Sequence, residues 1–297
     1  MWNYGKKSVG SKVFDTCNAI FLIFISIVTI YPFIFVLFAS LSDPVELMAH
    51  RGVLLHPLGF TLNGYLLAFK TDDIINGYGV TAFLVIVGTL CNLVMTTIFA
   101  YVISKSDMLW NRFLIIMVII TMYFSGGMIP NFIIVKTLGL YDSLWSLVLP
   151  NLINTFFLII MRTAIMAVPS ELEEAARLDG AGELSVLLKV VIPATVPTLA
   201  AIGLFYAIGY WNSWSNALIY IKTTSKYPLQ MVLRMILVQN NQSGQMVNSG
   251  VSDSQGEAYR RLMKYSTVII STVPIMVVYP FIQKYFTKGM MIGALKG

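Results

Sequence analysis

Six windows of about 20 residues in this chain contain no Asp, Glu, Lys, Arg or His: 19–41, 80–103, 113–135, 143–161, 196–221 and 265–283. A helix needs about 20 apolar residues to cross roughly 30 Å of hydrocarbon. A chain with six such stretches has little choice of solvent, because lipid leaves every backbone N–H and C=O to be satisfied inside the segment. Charged residues are only 11% of the 297 positions, against roughly 25% in a soluble domain. Since even a well-packed domain leaves about a quarter of its unfolded surface in water, a soluble globule is excluded. Disorder is excluded too, by 18 Phe, 15 Tyr and 5 Trp. The windows predict an all-α integral membrane fold with six transmembrane helices.

Lys6, Lys7 and Lys12 precede the first window, and no A-x-A site follows it. It reads as a retained signal anchor rather than a cleaved leader. An even number of spans puts both termini on one side, and the basic start assigns that side to the cytoplasm. Lys284, Lys288 and Lys296 in the tail agree. The expected organisation is a cytoplasmic segment 1–18, a six-span domain 19–283 and a cytoplasmic tail 284–297. On this topology connector 42–79 is an external cap with Asp43, Pro44, an Asn63-Gly64 turn and Asp72-Asp73. Connector 222–264, also external, opens with Leu229, Val232, Leu233, Ile236 and Leu237 at helical spacing and passes into a polar run at 239–255. Connector 162–195 faces the cytoplasm.

Several chemistries find no residues to carry them. Cys17 and Cys91 lie far apart with no CxxC spacing, and His50 and His56 have no carboxylate cluster beside them, so neither a disulfide framework nor a metal site is expected. The net charge of +6 is scattered and forms no stripe for nucleic acid. Gly180-Ala-Gly182-Glu-Leu-Ser185 has serine in the third glycine's place of a dinucleotide loop, and no GxxxxGK[ST] phosphate loop occurs. Glu173 and Glu174 are neighbours, about 100° apart on a helix, and do not form an acid–base couple. The reading is a non-catalytic chain that binds no cofactor of its own.

Ion-coupled carriers and intramembrane proteases keep ionisable groups in their spans; these six hold amides and aromatics instead. The candidates for a translocation path are Tyr123, Asn131, Asn151, Asn154, Tyr206, Tyr210, Asn212 and Trp214. Amides that hydrogen-bond hydroxyls and rings that stack on sugars suit a neutral, hydroxyl-rich solute. The same residues also glue helices together and form interfacial belts. Tyr220, near an outer end, is assigned to the belt. Tyr206, Tyr210 and Trp214 recur every four residues and are expected along one helix face, for which lining and packing both stand.

The segment 168–193, VPSELEEAARLDGAGELSVLLKVVIP, concentrates five of the chain's 14 acidic residues. Ser170 and Glu173 have capping-box spacing behind Pro169, and acids fill the first turns, where the helix dipole favours them. Glu173 precedes Arg177 by four residues, a favourable pair. Leu172, Ala175 and Ala176 make a shallow ridge, Gly180 stops the helix, and a second short helix is expected from Glu183 toward Pro193. A short, well-capped helix at a membrane surface buries too little to exist for folding alone, so it reads as a docking element.

Glu174-Ala-Ala176, three residues, Gly180, nine residues and Val190-Val-Ile192-Pro193 together resemble the EAA loop of the permease subunits of bacterial binding-protein-dependent ABC importers. The YWNSWSNALIY run at 210–220 and the tail from Gln283 to Gly297 resemble the maltose-type carbohydrate branch, and within it the oligosaccharide group often labelled LplC or YtcP. The similarity covers essentially the whole chain. It implies the type I importer permease fold, N-in and C-in, in the bacterial plasma membrane. It makes 171–179 a coupling helix seated in a cytoplasmic ATPase, with Glu171, Glu173, Glu174, Ala175, Ala176, Asp179 and Gly180 as its working residues. Glu174 matches the family's glutamate and Gly180 its turn glycine, while Lys296 and Gly297 reach the same ATPase interface. The implied partners are a second permease, two ATPase subunits that hold ATP and Mg, an extracytoplasmic sugar-binding lipoprotein, and membrane lipid. A permease for phosphate or an amino acid, or an ion-coupled carrier, is the competing reading; the first two call for positive charge or a discontinuous helix dipole at the substrate site, and the windows hold no Arg or Lys.

Overall fold

The structure, a computed structural model, describes residues 9–105, 108–246 and 254–294. Every regular element among them is helical. They fall into two compact units, one from the first 70 residues with 239–272, the other from 71–238 with 273–297.

The first unit is built on α1 (Val9–Ser40). Along its most apolar stretch no side chain is buried, the pattern of a helix apolar all round. Its far end is tied to the connector by hydroxyls. Tyr31 Oη accepts from the Leu54 N–H at 3.1 Å, Ser42 Oγ accepts from the Leu58 N–H at 3.0 Å, and Ser40 Oγ meets Tyr65 Oη at 2.7 Å. Asp43 caps α2 (Pro44–Ala49) by accepting from the Val45 and Glu46 N–H groups. The Asn63-Gly64 pair starts α3 (Asn63–Phe69) instead of making a turn. Gly64 is needed there for approach, since a Cβ would collide with Ser266 and Leu262.

The second unit holds the long α4 (Asp72–Ser104), continuous through a wide π turn at Leu84–Gly88. It begins eight residues before the charge-free window, because Asp72 and Asp73 occupy the first turn, where acids are favoured. Window 113–135 is not one straight span. It breaks into α5 (Asn111–Tyr123) and α6 (Met128–Thr137), bent by 115°. Ser125-Gly126-Gly127 makes the break, with Gly127 at φ +86°. Window 143–161 likewise splits into α7 (Trp145–Asn151) and α8 (Thr155–Met166), bent by 53°.

After α9 (Ser170–Leu178), α10 runs unbroken from Glu183 to Trp211. This corrects two expectations. No separate short helix ends at Pro193, because a π turn at Leu187–Val191 widens the backbone just ahead of the proline and absorbs its missing N–H. The helix also stops at Trp211, ten residues before the window ends, where Asn212 Nδ2 donates to the Ile208 carbonyl at 2.9 Å. Beyond lie α11 (Ser215–Tyr220), α12 (Leu229–Met246) and α13 (Ser254–Ala294). Among the described residues three helices are long and apolar enough to cross a membrane, or five if each bent pair counts as one.

Candidate functional site

The acidic helix α9 lies on the second unit, between α8 and α10 in the chain. Pro169 precedes it and Ser170 is its first helical residue. The capping box is therefore not formed: Glu173 does not fold back on the helix start but turns inward and is 8% exposed. Glu171, Leu172, Glu174, Ala175 and Asp179 face out, and Ala176 is half-buried against the core that contains Leu158, Met161 and Val186. Gly180, at φ +83°, reverses the chain while the Ala181 N–H reaches back to the Ala176 carbonyl at 3.0 Å. That is the Schellman closure, and it takes a residue comfortable in the left-handed region.

Charges gather where α9 meets the C-terminal end of α4 and the N-terminal end of α10. Lys105, just past the last turn of α4, pairs with Glu173, and its ammonium also stands 4.2 Å from the Tyr101 ring centre. Arg177 bridges Glu173 at 3.3 Å and Glu183 at 2.9 Å. The Tyr101 hydroxyl donates to Glu183 at 2.6 Å. Arg162 Nε donates to the Ile103 carbonyl at 2.9 Å, a cation at the C-terminal end of α4, where the helix dipole is negative. A cavity of about 520 Å³, lined by Ile98, Val102, Leu184 and Leu187, opens beside this cluster. Only the Glu173–Arg177 pair had a local signal in the sequence; Lys105 lies 68 positions from Glu173.

The amides and tyrosines divide into two sets. Tyr206 and Tyr210 are each 6% exposed. Tyr206 Oη lies 2.9 Å from Thr96 Oγ1 and accepts from the Asn154 N–H at 3.0 Å. Tyr210 donates to Asn92 Oδ1 at 2.9 Å, and Asn92 Nδ2 donates to the Asn151 carbonyl at 3.1 Å. Asn154 also caps α8 by accepting from the Phe156 and Phe157 N–H groups. This set binds α4 and α10 to the break between α7 and α8 and satisfies backbone groups that the break exposes. The second set, Tyr123, Asn131, Asn151, Asn212 and Trp214, is exposed, as Asn154 of the first set also is. Trp214 does not stand over Tyr210, since α10 has already ended; its ring carries the Arg234 guanidinium at 4.8 Å. Tyr220 is not in a belt: it is 6% exposed and stacks on Phe132 at 6.4 Å. Lys296 and Gly297 lie outside the described residues.

One further clamp had no local signal. Asp142, at φ +59°, accepts from the Lys222 and Thr223 N–H groups, each at 2.9 Å, and from Thr223 Oγ1 at 2.6 Å, with Lys226 Nζ at 3.3 Å. The Thr223 hydroxyl and amide, then the Lys222 amide, hold its carboxyl well below the usual carboxylate range.

Long apolar helices that also carry one short, acidic, outward-facing helix on a glycine turn define a membrane protein with a polar docking-sized element on its surface. No protein-family model matches the chain, but individual proteins do. LplC of Bacillus subtilis (strain 168) is 40% identical over 289 residues, 96% of either chain. YtcP of the same organism, a polygalacturonan/rhamnogalacturonan transport system permease, is 38% identical over 288 residues, covering 97% of this chain and 99% of YtcP. A chain in the crystal structure of a bacterial ABC transporter involved in import of the acidic polysaccharide alginate superposes with a TM-score of 0.85 at 28% identity, over 95% of this chain and 99% of that one. The chain belongs to the permease subunits of ABC importers, as its EAA-like loop implied.

Proposed function

We propose that this chain is one half of a heterodimeric permease through which an oligosaccharide enters a bacterial cell across the plasma membrane. It spans the membrane six times with both termini in the cytoplasm. An extracytoplasmic binding lipoprotein delivers the solute, and two cytoplasmic ATPase subunits, holding ATP and Mg, drive the cycle; this chain hydrolyses nothing. The sugar class is supported by the transport systems of its relatives, for polygalacturonan and rhamnogalacturonan and for arabinooligosaccharides in Halalkalibacterium halodurans.

The observation that carries the reading is the outward face of α9. Glu171, Glu174 and Asp179 are exposed on a helix that Gly180 turns back into α10, so an ATPase that grips this face moves a long helix directly. In this reading Glu174 meets basic groups of the ATPase cleft, Ala175 and Ala176 give the helix its low profile, and Lys296 and Gly297 reach the same partner. Tyr123, Asn131, Asn151, Asn212 and Trp214 contribute to the path, while Asn154, Tyr206 and Tyr210 hold its wall in shape.

Glu174→Arg and Gly180→Val should insert normally yet fail to retain ATPase subunits on gentle purification, and cells carrying them should lose uptake. Retention of the ATPases by Glu174→Arg would overturn the coupling assignment. Identifying the sugar carried by the co-purified binding protein tests the solute class; a phosphate or amino-acid ligand would refute it.

A further inference from the structure

Of the two acids at its first turns' centre, Glu174 faces out and Glu173 faces in. Taking a carboxylate out of water costs several kcal/mol unless a partner compensates, and an apolar contact of the same size serves stability equally well. An ionic contact at this spot is therefore explained poorly by folding alone and better by the geometry it imposes.

The geometry is a brace. The chain joins α9 to α10 only through the Gly180 turn, where a side chain would meet nothing within 4 Å, and the cavity of about 520 Å³ lined by Lys105, Arg177 and Leu184 leaves the space between the end of α4 and the start of α10 unfilled. A load on an unbraced α9 would be spent in bending that joint. One contact crosses it, Arg177 to Glu183 at 2.9 Å; Lys105 to Glu173 joins the end of α4 to α9, and Tyr101 to Glu183 at 2.6 Å joins α4 to α10. They tie α9 to α10 and also to α4, which neither adjoins α9 in sequence nor shares a turn with it. At about 1.5 Å per residue α4 is roughly 50 Å long, so a displacement of its inner end is carried to its outer half.

We propose that Lys105 and Glu173 form a latch that fixes the docking helix to the inner end of α4, so that α4 and α10 are driven together by one movement of α9. Both are positioning residues, and neither touches the ATPase. The proposal rests on α9 being the ATPase-docking helix, and the two readings fail separately. Glu174→Arg reads docking; substitutions at the latch read transmission after docking.

The test uses the assembled transporter in proteoliposomes, with ATP hydrolysis measured with and without the binding protein as purified with its own sugar. Lys105→Gln should keep its ATPase subunits and its basal hydrolysis while stimulation by the binding protein falls about tenfold, the scale of a typical inter-site coupling. Lys105→Arg should preserve stimulation. Glu173→Gln, which also loses its ion pair with Arg177, should fall at least as far as Lys105→Gln, and the double variant should be no worse than Glu173→Gln alone, as expected of two residues acting as one unit. Unchanged stimulation in Lys105→Gln, loss of the ATPases from Lys105→Gln, or additive losses in the double variant would each overturn the latch.

Discussion

Gly88→Ala should destabilise the protein far more than the one carbon it adds would suggest. Gly88 ends the π turn of α4 and lies under the ring of Tyr210: a Cβ there would stand 2.6 Å from Cζ, 2.7 Å from Cε2 and 3.1 Å from Cε1. Carbon atoms pack at about 3.5–4.0 Å, so the ring or the helix must retreat by about 1 Å. The ring is not free to do so, because its hydroxyl is anchored to Asn92 Oδ1 at 2.9 Å, one turn further along the same helix. Overpacking costs about 1–3 kcal/mol, and straining or losing a buried hydrogen bond adds about 1 kcal/mol. The total of about 2–4 kcal/mol corresponds to a fall in Tm of about 5–10 °C, measurable by tryptophan fluorescence on the purified protein in detergent. In a Tyr210→Ala background the same substitution should cost less than about 0.5 kcal/mol, since the two changes act at one contact. A Tm for Gly88→Ala within about 2 °C of wild type, or an equal penalty in both backgrounds, would refute the claim that this contact fixes α4 against α10.

Asp142→Asn should be less stable than wild type at neutral pH. Because the folded-state carboxyl titrates below its unfolded value, the wild-type advantage is fully present above about pH 4 and is lost as pH falls further through the folded pKa; Tm measured across that range checks it, and a gap that stays constant below pH 4 would contradict the charge-based clamp. Gly180→Asn should retain ATPase subunits better than Gly180→Val, because asparagine tolerates the left-handed region whereas a β-branched residue pays about 1–2 kcal/mol or more; equal retention would mean the φ of +83° is not what matters. Asn92→Leu leaves the Asn151 carbonyl and the Tyr210 hydroxyl without their partners and should lower stability by about 2–4 kcal/mol. Asn131→Ala, on an exposed face, should stay within about 0.5 kcal/mol, and similar Tm values for these two variants would remove the distinction between spent and available amides.

What could be read from the sequence was whatever is encoded locally. Charge-free windows found the apolar helices, a glycine and a cluster of acids found the short acidic helix α9, and the i, i+4 spacing found the Glu173–Arg177 pair. Interruptions were harder to read, because apolar residues and lone Asn, Gly or Pro occur in straight and broken helices alike. Ser125-Gly126-Gly127 could have warned of the 115° bend, but nothing near 152–154 or 212–214 distinguishes a break from a polar patch in a continuous span. Helix ends were misplaced where charge was used as the boundary: α10 begins at Glu183, ahead of the charge-free stretch, carries Lys189 within it and stops at Trp211 inside that stretch. Contacts such as Asp142 to Thr223 and Lys105 to Glu173 have no local trace, since their partners lie 81 and 68 positions away.

The intramembrane amides show why composition could not decide between packing and transport. A broken helix leaves N–H and C=O groups without partners, and those groups ask for the same donors and acceptors as the hydroxyls of a sugar. The residue types are therefore the same in either role, and only the use already made of each atom separates them. Asn92 has spent both ends of its amide, on Tyr210 and on Asn151. Asn154 has spent its oxygen on the first turn of α8. Asn212 has spent its nitrogen on the Ile208 carbonyl and keeps an exposed position, as do Asn131 and Asn151. A solute that slides past many weak hydrogen-bonding partners needs side chains with unused capacity on an outward face; Asn131 on α6, Asn151 at the α7–α8 break and Asn212 just past α10 hold such positions, and the buried tyrosine network does not.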